Sequence, residues 1–226
     1  MSDDVYAVHD RLYREMRERP GAIGWQGNYE AHQEQVRRAL EGPHAPRTGS
    51  VLELGCGAGN MALWLATRGF TPSGIDISAT AIEWAKEHAA TSSVAADFRQ
   101  GSLTELPWAE DAFDFVFDGN AFHCVLGDDR RIVLEETARV LRPGGYFLVR
   151  TVCTPVREAD LNPAYPYDAE TRISYLGETP FRYLVHPDEL EREVAAAGLE
   201  ICATHALFGL ERGSGFSYMM LEARLP

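Results

Sequence analysis

Positive charge is scarce in this sequence: 21 Lys and Arg stand against 34 Asp and Glu among 226 residues, a formal net charge of −13. With no local cluster of basic residues, such a surface repels phosphate backbones, and no nucleic acid is expected as a partner. Long apolar runs are missing as well. The stretch Met61 to Ala66 is far short of the roughly twenty residues that cross a bilayer, so no membrane span is expected. The opening Met-Ser-Asp-Asp has neither the basic start nor the apolar stretch of a secretory leader. Cys56, Cys124, Cys153 and Cys202 show no Cys-x-x-Cys spacing, which leaves free thiols in a reducing cytoplasm. No His, Cys and carboxylate grouping argues for a metal. Repeats, low-complexity tracts and domain-dividing linkers are also absent, while 45% hydrophobic residues suffice for one sizeable core.

What is present alternates. Val8, Leu12 and Met16 recur at helical spacing, Val36 and Leu40 mark a second helix, and Pro20-Gly21 and Gly24-Trp25-Gln26-Gly27 break the chain between them. Residues 1–48 are thus expected to form a helical cap and 49–226 the main domain. There, Val51–Leu54, Thr71–Ile77, Asp97–Gly101, Phe113–Phe117 and Tyr146–Thr151 read as strands. The fourth is apolar enough to be central and covered on both faces. Helices fit between them: one from Met61, one capped by Ser78, and one capped by Asp128 or Asp129 and bearing Ile132, Val133 and Val140. Strands alternating with helices predict βαβ units in a parallel sheet. The end of the chain departs from this. Pro187 opens a helix, with His186 beside its N-cap, that Gly198 stops. Two strand-like runs, Ile201–Phe208 and Tyr218–Ala223, then flank a turn at Gly213–Gly215. So short a link makes the pair antiparallel.

The strongest chemical signal is Glu53-Leu-Gly55-Cys56-Gly57-Ala-Gly59 at the end of the first sheet strand. Glycines there let the backbone approach a ligand and turn sharply into a helix, and Asp76 ends the next strand where a ribose diol would be held. A nicotinamide or flavin site wants glycine at the sixth position of Gly-x-Gly-x-x-Gly, where this chain has Asn60. Glu53 would also repel a pyrophosphate. A carboxylate at that mouth suits a ligand carrying an ammonium and a sulfonium.

The stretch Val51 to Arg150 resembles the core of the class I S-adenosylmethionine-dependent methyltransferases. Val51-Leu-Glu-Leu-Gly-Cys-Gly-Ala-Gly-Asn60 is similar to that family's first motif and Gly74-Ile-Asp76-Ile-Ser78 to its acidic second-strand end. Arg99-Gln-Gly101-Ser102-Leu-Thr-Glu-Leu-Pro107 resembles its adenine-side loop, with Ser102 where the family often has Asp. Phe113 to His123 and Arg139 to Gly145 match two further blocks. The resemblance implies an α/β, Rossmann-like, seven-stranded, mostly parallel sheet with an antiparallel last strand and an N-terminal helical cap. It implies S-adenosylmethionine as cofactor and methyl transfer to a small-molecule acceptor at O, N or S. Gly55, Cys56, Gly57 and Gly59 would approach the donor through the backbone, beside Glu53. Asp76 would hold the ribose, Ile77 would lie against the adenine, Gly101, Ser102 and Leu103 would edge the base, and Asp118 would sit near the sulfonium. On the same fold, aminopropyl transfer and non-methylating cofactor binding remain as alternatives.

At the acceptor end, His123 follows the fourth strand and is the best-placed base, with packing or helix capping as its other reading. The Trp25–Gln33 stretch is weakly similar to the Trp-bearing entry segment of the thiol and thiopurine methyltransferases, a resemblance that tips the expected acceptor slightly toward sulfur. The stretch would fold over the donor as a lid, with Trp25 on the sulfonium and Tyr29 toward the acceptor. In the insertion around 152–187, Tyr167, Arg172 and Arg182 are expected to line a pocket for an aromatic or anionic acceptor. The acceptor's identity and the oligomeric state are not written in these motifs.

Overall fold

In the computed structural model, which describes residues 6–24, 29–156, 163–207 and 216–226, helices α1 (Ala7–Arg17) and α2 (Tyr29–Leu40) precede the alternating body. That body runs β1 (Gly49–Leu54), α3 (Asn60–Ala66), β2 (Phe70–Asp76), α4 (Ala79–Ser92), β3 (Asp97–Gln100), β4 (Phe113–Asp118), α5 (Asp129–Val140) and β5 (Leu141–Cys153). A small antiparallel sheet follows, of β6 (Tyr167–Asp168), β7 (Ile173–Leu176) and β8 (Thr179–Tyr183). Then come α6 (Pro187–Ala196), β9 (Glu200–Leu207) and β10 (Ser217–Arg224). The seven-stranded sheet has the order β3-β2-β1-β4-β5-β10-β9, with β10 antiparallel to both of its neighbours. The turn expected at Gly213–Gly215 lies outside the described residues. Among the described residues no helix is long and apolar enough to cross a membrane.

β4 is the middle strand, and Phe113, Phe115 and Phe117 are all buried to 3% exposure or less, as its apolar residues require, while Asp114 between them stays half-buried against Arg142. Alternation along the strands divides the core. Val51, Phe115, Phe117, Tyr146 and Leu148 pack under α2 and α3 with Val36, Leu40 and Leu65. Leu52, Leu54, Val116, Phe147 and Val149 face α5 and α6 through Val133, Leu134, Leu190 and Val194. Each such large apolar side chain contributes about 1.5–3 kcal/mol by leaving water.

Capping chemistry sets several boundaries. The Ser78 hydroxyl accepts from the Ala81 N–H at 3.0 Å and starts α4. His186, read as a neighbour of the cap, is the N-cap of α6 itself, its Nδ1 accepting from the Asp188 N–H at 3.3 Å. Asp128 occupies the N-cap of α5 but makes no side-chain cap, because its own backbone is already helical. β5 begins at Leu141, ahead of the expected Tyr146. Leu141 pairs with Phe113 before a register shift, and Gly144 and Gly145 bond to Leu225.

Candidate active site

A cavity of about 500 Å³ opens at the C-terminal ends of the central strands, where open α/β sheets bind ligands. The glycine loop after β1 forms one end. Gly55 (φ +64) and Gly57 (φ +52) lie in the left-handed region. A Cβ on Gly55 would fall 2.1 Å from the Ala121 Cβ, and one on Gly57 would fall 2.2 Å from the Tyr13 hydroxyl. Only glycine fits either place. The loop is held from below by acids. Asp76 accepts from the Gly57 and Ser78 N–H groups, each at 2.9 Å, and Glu53 accepts from the Ala62 N–H at 2.9 Å. Asp118 accepts from the Ala121 and Phe122 N–H groups at 2.7 and 2.9 Å, while its Oδ2 is buried with no hydrogen-bond partner. Burial pushes these carboxyls up: Asp76 to about 6, Asp118 to about 7, and Glu53 well above the usual carboxylate range.

The N-terminal helices cover this end. Asp10 of α1 accepts from the Ser78 hydroxyl at 2.8 Å and from the Thr80 N–H at 3.0 Å, latching α1 onto the start of α4. Tyr29 donates to the Asn60 carbonyl at 2.9 Å and ties α2 to α3.

The residues expected from sequence divide clearly. Glu53, Gly55, Cys56, Gly57, Asp76, Ile77, Ser102 and Leu103 line the cavity, with His123, Tyr29 and Arg182. Gly59, Gly101 and Asp118 stand just behind the lining. Gly59 (φ +77) is the N-cap of α3, and the Gly101 N–H donates to the Asp76 carbonyl at 3.0 Å. Trp25 lies outside the described residues. Tyr167 and Arg172 do not reach the cavity. Tyr167 packs against the Val152, Leu184 and Phe216 cluster, and Arg172 pairs with Glu189 and lies 4.9 Å over the Tyr183 ring. Both brace the small sheet, which the 152–187 segment forms where a pocket loop was expected.

The other end of the cavity was not foreseen as a whole. His9 of α1 stacks on Phe181 of β8 (centroids 5.3 Å apart), and Phe181 on Tyr165 (6.0 Å). Arg150, 3% exposed in the middle of β5, donates to Gln35 at 2.7 Å and to Asn120, and lies 4.0 Å over the Tyr218 ring. His32 is buried with its Nε2 unpartnered, and His123 with its Nδ1 unpartnered. A charge interrupting the buried run Tyr146 to Val152 was the available signal for Arg150. Nothing in helical periodicity separates His9 or His32 from surface positions.

Residues 52–149 match the family model described as a methyltransferase domain. The chain is 32% identical over 184 residues to the ubiquinone biosynthesis O-methyltransferase of Rhizobium etli, covering 77% of this chain and 72% of that protein. The chain belongs to the class I S-adenosylmethionine-dependent methyltransferases. Solved structures share the fold, among them the following two. The PH0226 protein from Pyrococcus horikoshii OT3 has a TM-score of 0.76 at 21% identity, covering 94% of this chain and 99% of that one. The 1,6-didemethyltoxoflavin-N1-methyltransferase of Burkholderia thailandensis, solved with 1,6-didemethyltoxoflavin and S-adenosylhomocysteine, has a TM-score of 0.72 at 18% identity, covering 100% and 91%.

This methyltransferase uses S-adenosylmethionine to methylate a small-molecule acceptor. Its residues fit that donor. The glycine loop leaves no side chain between backbone and ligand, and two buried carboxyls, Glu53 and Asp76, line that end with Asp118 and its orphan oxygen just behind, where a cationic ligand gains most. The opposite end of the methyltransferase cavity has the reverse sign. Burial, and then the Arg182 cation, push His9 down to about 4; burial, and then Arg150, push His32 to about 3. His123 is held well below its ordinary value by burial and by Arg182, Arg150 and Arg130. All three imidazoles are therefore neutral at pH 7. Among the described residues no group of three or more His, Cys, Asp or Glu is placed to hold a metal ion.

Proposed function

We propose that the acceptor is a flat aromatic molecule methylated on a hydroxyl oxygen, with His123 as the base. The observation that carries this is a neutral imidazole with an unpartnered, buried Nδ1 in a cavity walled by stacked rings. A neutral His can take a proton; one held as imidazolium could not. The bound donor supplies a methyl group on a positively charged sulfur, which leaves as a neutral thioether. His123 receives the hydroxyl proton as the oxygen attacks the methyl carbon and the carbon–sulfur bond breaks. The His9, Phe181 and Tyr165 column gives an aromatic acceptor a face to lie against and excludes water. The oxygen preference is supported by the Rhizobium etli relative, whose name is that of an O-methyltransferase. The net charge of −13 supports small molecules, over nucleic acids and anionic membrane surfaces, as its partners.

The test is His123→Asn, assayed with a phenolic acceptor panel and labelled donor. A base contributes roughly 10²–10⁴-fold, so kcat should fall by that order with S-adenosylhomocysteine affinity unchanged. The rate should also recover toward high pH, where the acceptor hydroxyl ionises unaided. Near-normal kcat in the variant would remove His123 from the chemistry.

A further inference from the structure

Arg182 is a cation that the described protein leaves without an anion. It reaches the cavity from β8, and among the described residues no carboxylate pairs with it. Its guanidinium lies 4.8 Å over the Tyr165 ring and 4.9 Å over the Phe181 ring, two rings only 12° from parallel. Its Nε is buried with no hydrogen-bond partner. Rings on its faces fix its plane and leave its donor-bearing edge as the place where hydrogen bonds can form. The Cys124 thiol beside it is pushed up to about 12 by burial and supplies no negative charge. Its other titratable neighbours, His9 and His123, carry no charge to pair with it, because burial and the Arg182 cation itself hold both imidazoles neutral.

An unpaired charge at a partly buried site is costly unless something pairs with it during function. In a chain with 34 acidic residues, a carboxylate partner would have been simple to supply. The anion therefore comes with the ligand. The far end of the cavity is lined by Glu53 and Asp76; the donor brings a carboxylate of its own, but of the two ligands the acceptor is the one that lies at Arg182's end, beside His123, so its anion is the one the guanidinium is placed to meet.

We infer that the acceptor is an aromatic hydroxy acid whose carboxylate is received edge-on by the Arg182 guanidinium, while its hydroxyl turns toward His123 and the donor. Carboxylate and guanidinium match as a planar two-point pair, so Arg182 selects acids over their esters and over the parent phenols. This rests on the aromatic-acceptor proposal above and narrows it.

The test reads binding and needs no turnover. The enzyme saturated with S-adenosylhomocysteine is titrated calorimetrically with 3,4-dihydroxybenzoate, its methyl ester and catechol. The acid should bind roughly tenfold or more tighter than the ester, as a charge-assisted pair requires. Arg182→Met should erase the preference and leave S-adenosylhomocysteine affinity unchanged. Arg182→Lys, which keeps the charge and loses the fork, should retain part of it. No binding of the acid, equal binding of acid and ester, or a preference that survives in Arg182→Met would overturn the inference. So would a matching loss of S-adenosylhomocysteine affinity in that variant, because it would give the guanidinium to the donor's own carboxylate. Tight binding of the acid without its methylation would instead break the oxygen-acceptor proposal and leave this one standing. His123→Asn should not alter the acid-over-ester ratio.

Discussion

The two ends of the cavity are built on opposite plans. The glycine-loop end, proposed as the donor seat, is acidic, made of backbone and strand termini, and most of it comes from one run, Glu53 to Ile77. The opposite end, proposed for the acceptor, is basic and aromatic, and its side chains arrive from α1, α2, the turn after β4, β5, β8 and β10. A cationic cosubstrate that never changes can be met by a fixed loop. An acceptor that differs between relatives is met by single side chains projecting from many elements, each replaceable without disturbing the sheet.

The strongest challenge to this division is Gly55→Val. The positive φ and the overlap with Ala121 together cost about 3 kcal/mol, so S-adenosylhomocysteine affinity should drop roughly 100-fold. Calorimetry showing near-normal affinity would mean that the loop is not the donor seat. Next is Arg150→Met, which strands the amides of Gln35 and Asn120. Acceptor kcat/KM should fall roughly 30-fold, with donor affinity unchanged. A parallel fall in donor affinity would merge the two ends into one functional unit.

A smaller effect concerns pH. Asp118, raised to about 7, and Asp76, raised to about 6, are largely protonated in mild acid and become anions as pH rises. Affinity for the cationic donor should therefore climb between pH 6 and 8 by up to about tenfold for each carboxylate that ionises, and Asp118→Asn should flatten the upper part of the climb. A variant with the wild-type profile would leave the rise to other groups. The smallest effect is expected for Arg172→Met. Losing the half-exposed pair with Glu189 should lower Tm by about 1–2 °C, with kcat and KM intact. A changed acceptor KM would return Arg172 to the pocket from which its contacts remove it.

The same division governs what could be read in advance. The sheet was legible because its strands are short apolar runs punctuated by glycine, with Ser78 capping the helix after β2, and the glycine-loop end of the cavity because its residues sit at strand ends within a continuous motif. His123 and Arg182 were legible as chemistry, one beyond a strand end and one in an aromatic-rich insertion. Arg172 looked equivalent to Arg182 ten positions away. Only the fold of β7 and β8 shows that one turns to Glu189 and the other to the cavity. Tyr13, His9 and His32 lie on amphipathic helices whose spacing fixes a buried face without saying what that face covers. Their role depends on how α1 and α2 dock, which is a tertiary matter.

The placement of β10 has a consequence for how the molecule comes into being. It pairs along its whole length with β5, some seventy positions earlier in the chain, and it brings Tyr218 beneath Arg150. During synthesis, β5 emerges with one flank bare along Phe147 to Val152, an apolar strand edge able to capture another chain. Until residues 217–224 have arrived to zip along it, a nascent molecule has its donor loop in sequence but no finished acceptor chamber. Expression conditions that slow this late closure should therefore favour clumping over activity.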